Sequence, residues 1–218
     1  MNKSSVILFI KKMIFFFIWV WIIQTGVAIF IQTNIGSDPF TVFTQGISGL
    51  LGITTGTANI VITFVFLVAI FILSRKSINI GTVLALISAG PFIDLMLNVL
   101  KPIEFSGFNI MVKVLLLLIS CVIVAIGFSM LKATDLGVAP NDLIPLIIHD
   151  KTKIKYQWIR ISMDLIFVTV GFTLGGVIGI GTIIGAFLTG PVIQFFMPKL
   201  DKIVKAIIYN EPSSSVVS

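Results

Sequence analysis

The sequence predicts an all-α polytopic membrane protein whose six transmembrane helices form a 3+3 inverted repeat, with one short non-spanning helix in each half. Three observations lead to this fold class. The chain is 57% hydrophobic and only 11% charged, with a mean hydropathy of +1.13, whereas a soluble domain carries about 25% charged residues. Its apolar runs approach the roughly 20 residues that cross a bilayer as a helix. Its two halves share glycine and proline motifs.

The apolar runs give the transmembrane helices in order. The first run follows two lysines, but it is too long for a signal peptide and lacks a small-residue cleavage site, so we interpret it as a retained helix. Residues 1–218 then form one membrane domain, with repeats at 13–99 and 110–198 and a flexible polar tail at 206–218. The predicted spans lie at 13–33, 57–74, 78–99, 110–131, 157–176 and 179–198.

The segment 39–51 is predicted to be a helix that does not cross the membrane. Asp38-Pro39 is an ordinary helix start, but 13 residues cover only about 20 Å of a hydrocarbon core that is roughly 30 Å thick. If the N-terminus is cytoplasmic and 39–51 does not cross, all but Lys101 and Lys113 of the 15 basic residues lie on the cytoplasmic side. This distribution follows the positive-inside rule. It predicts a multi-pass membrane protein with both termini in the cytoplasm.

An internal repeat relates the two halves. The segment "IGTVLALISAGPFIDLML" at 80–97 is identical to "IGTIIGAFLTGPVIQFFM" at 180–197 in six of 18 positions, including a Gly-Pro pair. The segment "TNIGSDP" at 33–39 likewise matches "TDLGVAP" at 134–140. Because each half holds an odd number of spans, the second half enters the membrane from the opposite side. Inverted repeats of this kind recur among secondary transporters, which bind their substrates between the repeats.

Several motifs together suggest a family. They are "IGSDPF" and "LGVAPND", "GITTG", and the longer patterns "IGT…GPFID" and "IRISMD…LGGVIGIGT…GP". In their order and spacing they resemble the YczE/YyaS/YitT-like bacterial integral membrane proteins over nearly the whole chain. Two positions depart from that family, which often has a basic residue where Asn141 lies and an Arg-x-x-x-Glu where this chain has Arg160 and Asp164. The resemblance implies a class of membrane protein more than an activity.

Charged residues within membrane segments are costly and usually face a protein interior or a cavity. Asp38 and Asp142 begin the two short helices, where a carboxylate can cap the helix and complement its dipole. Either residue could instead bind a coupling ion or a solute, and the sequence leaves both readings open. The position equivalent to Asp142 in the first half is Thr41. We therefore expect a site between the short helices 39–51 and 140–149.

Arg160 and Asp164 are spaced i,i+4 and share one helix face. Their equivalents Asn59 and Thr63 make the same face polar in the first half. Arg160 could anchor its helix at the membrane interface or serve as a counter-charge. Asp164 lies one turn deeper, where a buried pair with Arg160 or a bridge to Asp142 explains it better.

Asp94 lies deep in the third predicted span, just after Pro91, and its repeat equivalent is Gln194. A carboxyl group beside a proline-interrupted turn could relay protons, or it could be structural. The candidate solute- or ion-binding residues are therefore Asp38, Thr41, Asp94, Asp142, Arg160 and Asp164.

Other classes of function receive less support. Cys121 is the only cysteine, and no HExxH, phosphate-binding loop or nucleophile–base pair is present, so we expect no catalytic residues, no metal and no cofactor. The net charge of +6 follows from membrane topology rather than from nucleic-acid binding. The leading hypothesis is a secondary transporter or permease for a small polar solute. The alternative is a non-transporting assembly or regulatory protein. The expected partners are the lipid bilayer and an unidentified small molecule or ion, and the sequence is compatible with a homodimer.

Overall fold

A computed structural model describes residues 3–209 of the 218-residue chain. Within that range the chain forms eight α-helices and no β-strand. Five of these helices are long and apolar enough to cross a membrane, which confirms the prediction of an all-α polytopic membrane protein. The helices are α1 (Lys3–Thr33), α2 (Pro39–Leu51), α3 (Thr55–Ser74), α4 (Ile80–Leu100), α5 (Ile110–Lys132), α6 (Pro140–Thr152), α7 (Tyr156–Thr173) and α8 (Ile180–Tyr209).

The five candidate spans are α1, α3, α4, α5 and α8. The fifth predicted span corresponds to α7, which is 18 residues long and contains Arg160 and Asp164. Helix α7 is not among the five candidate spans, so the prediction of a sixth crossing depends on what these two charges face. Residues 206–209 of the predicted tail continue α8, and 210–218 lie outside the described residues.

The two short helices share their length and their ends. Both α2 and α6 have 13 residues and a proline in the first turn, so each covers about 20 Å. Both end at a left-handed C-cap residue, Gly52 with φ 65° and Lys153 with φ 61°. Helix α2 is capped as the sequence predicts, because Asp38 Oδ1 accepts the Thr41 N–H at 3.2 Å. Helix α6 runs to Thr152, three residues beyond its predicted end.

The loop before each short helix contacts the first turn of a long helix in the other half. The loop before α2 meets α8, where the Gly181 N–H donates to the Ile35 carbonyl at 2.9 Å. The loop before α6 meets α4, where the Gly81 N–H donates to the Leu136 carbonyl at 2.8 Å. We refer to these two contacts as the reciprocal junctions. Each half thus supplies the surface on which the other half's short helix begins.

Glycine is required at the centre of both reciprocal junctions. Gly36 has φ 119° and Gly137 has φ 117°, a region that residues with a Cβ rarely adopt. A Cβ would also lie 2.7 Å from the Thr182 nitrogen in the first junction and 3.0 Å from the Thr82 nitrogen in the second. These steric limits explain why the same Gly-x-x-Pro motif occurs in both halves.

Helices α1 and α5 pack closely at the centre of the protein, with α4 against α1 and α8 against α5. Small residues permit this approach, since a Cβ on Gly26 would lie 2.8 Å from Val124 Cγ2 and one on Gly127 would lie 2.7 Å from Ile23 Cγ1. Close packing over small residues is typical of membrane helices. The short helices cross between halves, with α2 against α7 and α6 against α3. Their N-terminal ends therefore lie near the middle of the bundle.

Candidate functional site

A cavity of about 70 Å³ lies between the N-terminal ends of α2 and α6. Five of the six predicted site residues line it, namely Asp38, Thr41, Asp142, Arg160 and Asp164. They form its polar wall together with Asn59 and Thr63 of α3. The apolar wall of the cavity comes from α1, α4 and α5, through Ile23, Val27, Phe30, Ala85, Ala89, Ile93 and Val124.

Arg160 bridges two carboxylates in this cavity. Its Nη1 donates to Asp142 Oδ1 at 2.5 Å, and its Nε donates to Asp164 Oδ2 at 3.3 Å. Arg160 is 8% exposed and Asp164 is fully buried, so the arginine pairs inside the protein rather than anchoring α7 at an interface. Burying these charges is costly unless they are paired and hydrogen-bonded. The bridge also joins α6 to α7.

Three oxygen atoms on the polar wall accept no hydrogen bond. They are Asp38 Oδ2, Asn59 Oδ1 and Asp164 Oδ1. The last atom lies 3.2 Å from Arg160 Nε, within ion-pair distance. Buried acceptors without a donor, here Asp38 Oδ2 and Asn59 Oδ1, are rare and cost about 1–3 kcal/mol each. We refer to these atoms as the three free acceptors, and they make the polar wall suited to a ligand that donates hydrogen bonds.

The formal charges lining the cavity do not cancel. Asp38, Asp142 and Asp164 face a single cation, Arg160. Fully ionised, the four groups sum to a formal charge of −2. The two helix N-termini add positive ends of dipoles, and a carboxylate already lies in or next to the first turn of each, with Asp38 capping α2 and Asp142 in the first turn of α6.

Asp94 does not line the cavity. Its Oδ2 accepts from Thr54 Oγ1 at 2.8 Å and its Oδ1 accepts from the Gly56 N–H at 3.1 Å. It thus satisfies groups at the N-terminus of α3, which accounts for the "GITTG" motif. Its repeat equivalent does the same in the second half, where Gln194 Oε1 accepts the Gln157 N–H of α7 at 3.1 Å. These contacts give Asp94 a structural role that needs no proton relay.

Some residues of the cavity were not among the predicted site residues. Asn59 and Thr63 carried a signal, because they are the repeat equivalents of Arg160 and Asp164. Other polar residues lining the cavity carried little signal beyond being polar within an apolar run; they are Gln24, Asn141 and Thr189. Among residues 3–209, no group of three or more His, Cys, Asp or Glu side chains is arranged to hold a metal ion.

The fold and the cavity define a polytopic membrane protein with an internal cavity that has one polar wall. The chain belongs to the family described as "Family of unknown function (DUF6198)", whose model matches residues 10–198. This match, together with the relatives below, confirms the family resemblance predicted from the motifs.

The chain is similar to curated bacterial proteins over most of its length. It is 29% identical to the uncharacterized protein YyaS of Bacillus subtilis over 192 residues, which cover 88% of this chain and 94% of YyaS. It is 27% identical to the uncharacterized membrane protein YczE of the same organism, with 85% of each chain covered. An uncharacterized protein of Haemophilus influenzae is 26% identical, with 81% of this chain and 78% of that protein covered. No solved structure matches the chain.

Proposed function

We propose that the protein is a secondary transporter that carries a small polar solute through the cavity between α2 and α6. The observation that supports this function best is the set of three free acceptors on an enclosed wall, surrounded by helices that are otherwise apolar. A protein that used these helices only for packing would gain stability by filling the cavity with apolar side chains. Polar groups retained inside a membrane bundle are typical of solute and ion pathways.

The reciprocal junctions support an inverted repeat. Under this proposal α1–α4 and α5–α8 are equivalent halves, and α1, α3, α4, α5, α7 and α8 cross the membrane. Three crossings in each half reverse the orientation of the second half, so α2 enters from outside and α6 from the cytoplasm. Helix α7 can cross despite Arg160 and Asp164 because these charges face the cavity rather than lipid. Sites at the interface of such repeats are exposed alternately when one part rocks against the other.

The proposed orientation puts both termini in the cytoplasm of a bacterial cell, with the protein in the plasma membrane. The distribution of Lys and Arg supports it, and the similarity to the membrane protein YczE of Bacillus subtilis supports the membrane assignment. The cavity would bind and release its solute without chemical conversion, because its polar wall offers hydrogen bonds and charge but no activated nucleophile.

Within the cavity the residues would have distinct roles. Asp38 and Asp164 would contact the solute through their free oxygens, and Thr41 would complete the wall at the start of α2. Arg160 would keep Asp142 and Asp164 in position and balance part of their charge. The bridge between Arg160 and Asp142 would hold α6 against α7 until the solute or a proton changes the balance of charge.

Uptake into proteoliposomes tests the proposal. Purified protein is reconstituted and a panel of small polar solutes is assayed with and without a pH gradient. We expect at least one solute to accumulate, and we expect the double variant Asp142→Asn/Asp164→Asn to lose that uptake. Asp201→Asn is the matched control, because it removes an exposed carboxylate that pairs with Lys205 far along α8. Size-exclusion chromatography and circular dichroism confirm that each variant is folded.

Two results would contradict the proposal. The first is full uptake by a folded Asp142→Asn/Asp164→Asn protein, which would remove the cavity from the pathway. The second is no uptake of any solute together with co-purification of a stable stoichiometric protein partner. That combination would favour the alternative of a membrane assembly or regulatory protein.

A further inference from the structure

We infer that the cavity is selective for a small primary ammonium ion, a cation with N–H donors and a short alkyl tail. This inference rests on the proposed function of the same cavity and specifies its substrate class. It is derived from the sign of the charge in the cavity, from the number of free acceptors and from the difference between the two walls.

The formal charge of the cavity lining disfavours an anion. Three carboxylates face one guanidinium, and that guanidinium already donates to Asp142 and Asp164. Three of the N-terminal N–H groups of the short helices are also occupied. The Thr41 N–H donates to Asp38 Oδ1, while the Asp142 and Leu143 N–H groups donate to the Ala139 carbonyl at 3.0 and 2.9 Å. By formal charge the carboxylates therefore outnumber the one cation, which favours a cationic ligand over an anion.

The free acceptors indicate what kind of cation fits. Asn59 is 7% exposed and Asp164 is fully buried, and each presents on the cavity wall an oxygen that accepts no hydrogen bond, as does Asp38. The Asp164 oxygen also lies within ion-pair distance of Arg160. A primary ammonium group carries three N–H donors, which equals the number of free acceptors. A quaternary ammonium ion has the same charge but no donor, so it would leave all three oxygens unsatisfied.

The apolar wall accounts for the rest of the ligand. Ala85, Ala89 and Ile93 of α4 lie on this wall with Val27 and Phe30 of α1. A cavity of about 70 Å³ holds about five to seven water-sized groups, at roughly 10–15 Å³ for each. This space suits an ammonium group with one to three carbons, whose alkyl end packs on α1 and α4 while its charged end meets α2, α3 and α7. The charged end thus meets two free acceptors from the first half, Asp38 and Asn59, and one from the second half, Asp164.

Binding to the full-length protein in detergent tests the inference. Titration calorimetry with methylammonium and propylammonium chloride should give saturable binding, and tetramethylammonium and sodium chloride are the matched cations without N–H donors. We expect both controls to bind at least about tenfold more weakly, as losing a hydrogen bond to a charged group predicts.

Asp38→Asn is the sharpest variant. Its Oδ1 can still cap α2 through Thr41, because asparagine is as good a cap as aspartate, but an NH₂ donor replaces the free oxygen and one negative charge is lost. We expect its affinity for methylammonium to fall about 10- to 100-fold, while Asp201→Asn binds like the wild type. Asn59→Leu, which removes a free acceptor without changing the charge, should weaken binding as well and so separates hydrogen bonding from electrostatics.

The results separate this inference from the proposed function. Tetramethylammonium or sodium binding as tightly as methylammonium would overturn the inference, as would undiminished binding to a folded Asp38→Asn protein. Uptake of an anion or a neutral solute that depends on Asp164 would also overturn it while keeping the transport function. Selective methylammonium binding without uptake into proteoliposomes would support the inferred ligand and overturn transport.

Discussion

Replacing the glycine of either reciprocal junction by alanine should strongly destabilise the protein. At Gly36 the backbone has φ 119°, and holding a non-glycine residue there costs about 1–3 kcal/mol. The new Cβ would lie 2.7 Å from the backbone nitrogen of Thr182, and overpacking of this kind adds about 1–3 kcal/mol. The free energy of unfolding should therefore fall by about 2–6 kcal/mol. Gly137→Ala should lose a similar amount, because its φ of 117° and its contact with Thr82 are nearly the same.

Reversible unfolding by SDS in mixed micelles measures this loss. Gly49→Ala is the matched control, since a Cβ there meets nothing within 4 Å and alanine favours a helix over glycine by about 0.5–1 kcal/mol. We expect the control to equal or exceed the wild type in stability. If both junction variants unfold within about 0.5 kcal/mol of the wild type, a tenth or less of the upper estimate from strain and overpacking, the junctions are not tight and the steric argument for the repeated motif fails.

Three further outcomes are expected. Arg160→Met should lower the free energy of unfolding by about 3–5 kcal/mol, because it leaves two buried carboxylates without their counter-charge. Neutralising both carboxylates in the same protein should restore much of this loss. An unchanged SDS midpoint for Arg160→Met would contradict the bridge. Asp94→Ala should cost about 1–2 kcal/mol in the same assay through lost capping of α3, and a neutral effect would count against that role. In a Cys121→Ala background, an impermeant maleimide should label Leu51→Cys in intact cells and Thr152→Cys only in inverted vesicles, whereas labelling from one side would exclude the inverted repeat.

The features that the sequence predicted well depend on local backbone chemistry. Proline and glycine constrain the chain wherever they occur, so the motif around Gly36 and Pro39 gave both the start of α2 and its equivalent at α6. The charges were predictable for a second reason. A guanidinium and carboxylates in an apolar chain must pair to avoid the cost of burial. The sequence suggested a pair between Arg160 and Asp164 or a bridge to Asp142, and Arg160 contacts both carboxylates.

Other features depend on how helices cross, which local sequence does not encode. Asp94 was predicted to be a site residue because it is an acid near a proline in a span. Which group it meets is decided by the packing of α3 on α4, and that packing puts Gly56 beside it. Asn59 was not predicted to be a site residue although it lines the cavity. A neutral amide in a transmembrane segment is less costly than a charge, so it gives a weaker signal of function.

The reciprocal junctions also set an order for assembly during synthesis. The loop at Gly36 leaves the ribosome early, but the residue of α8 that it contacts, Gly181, follows 145 residues later. At a synthesis rate of roughly 5–20 residues per second, Gly181 is made about 7–30 seconds after Gly36. Until Gly181 has been synthesised, α2 lacks its contact with α8. The polar groups at the start of α2 are then not yet covered by the second half of the chain. The second junction closes much sooner, because the turn at Gly81 is already present when Leu136 emerges. Helix α8, which is synthesised last, therefore completes the contacts of α2.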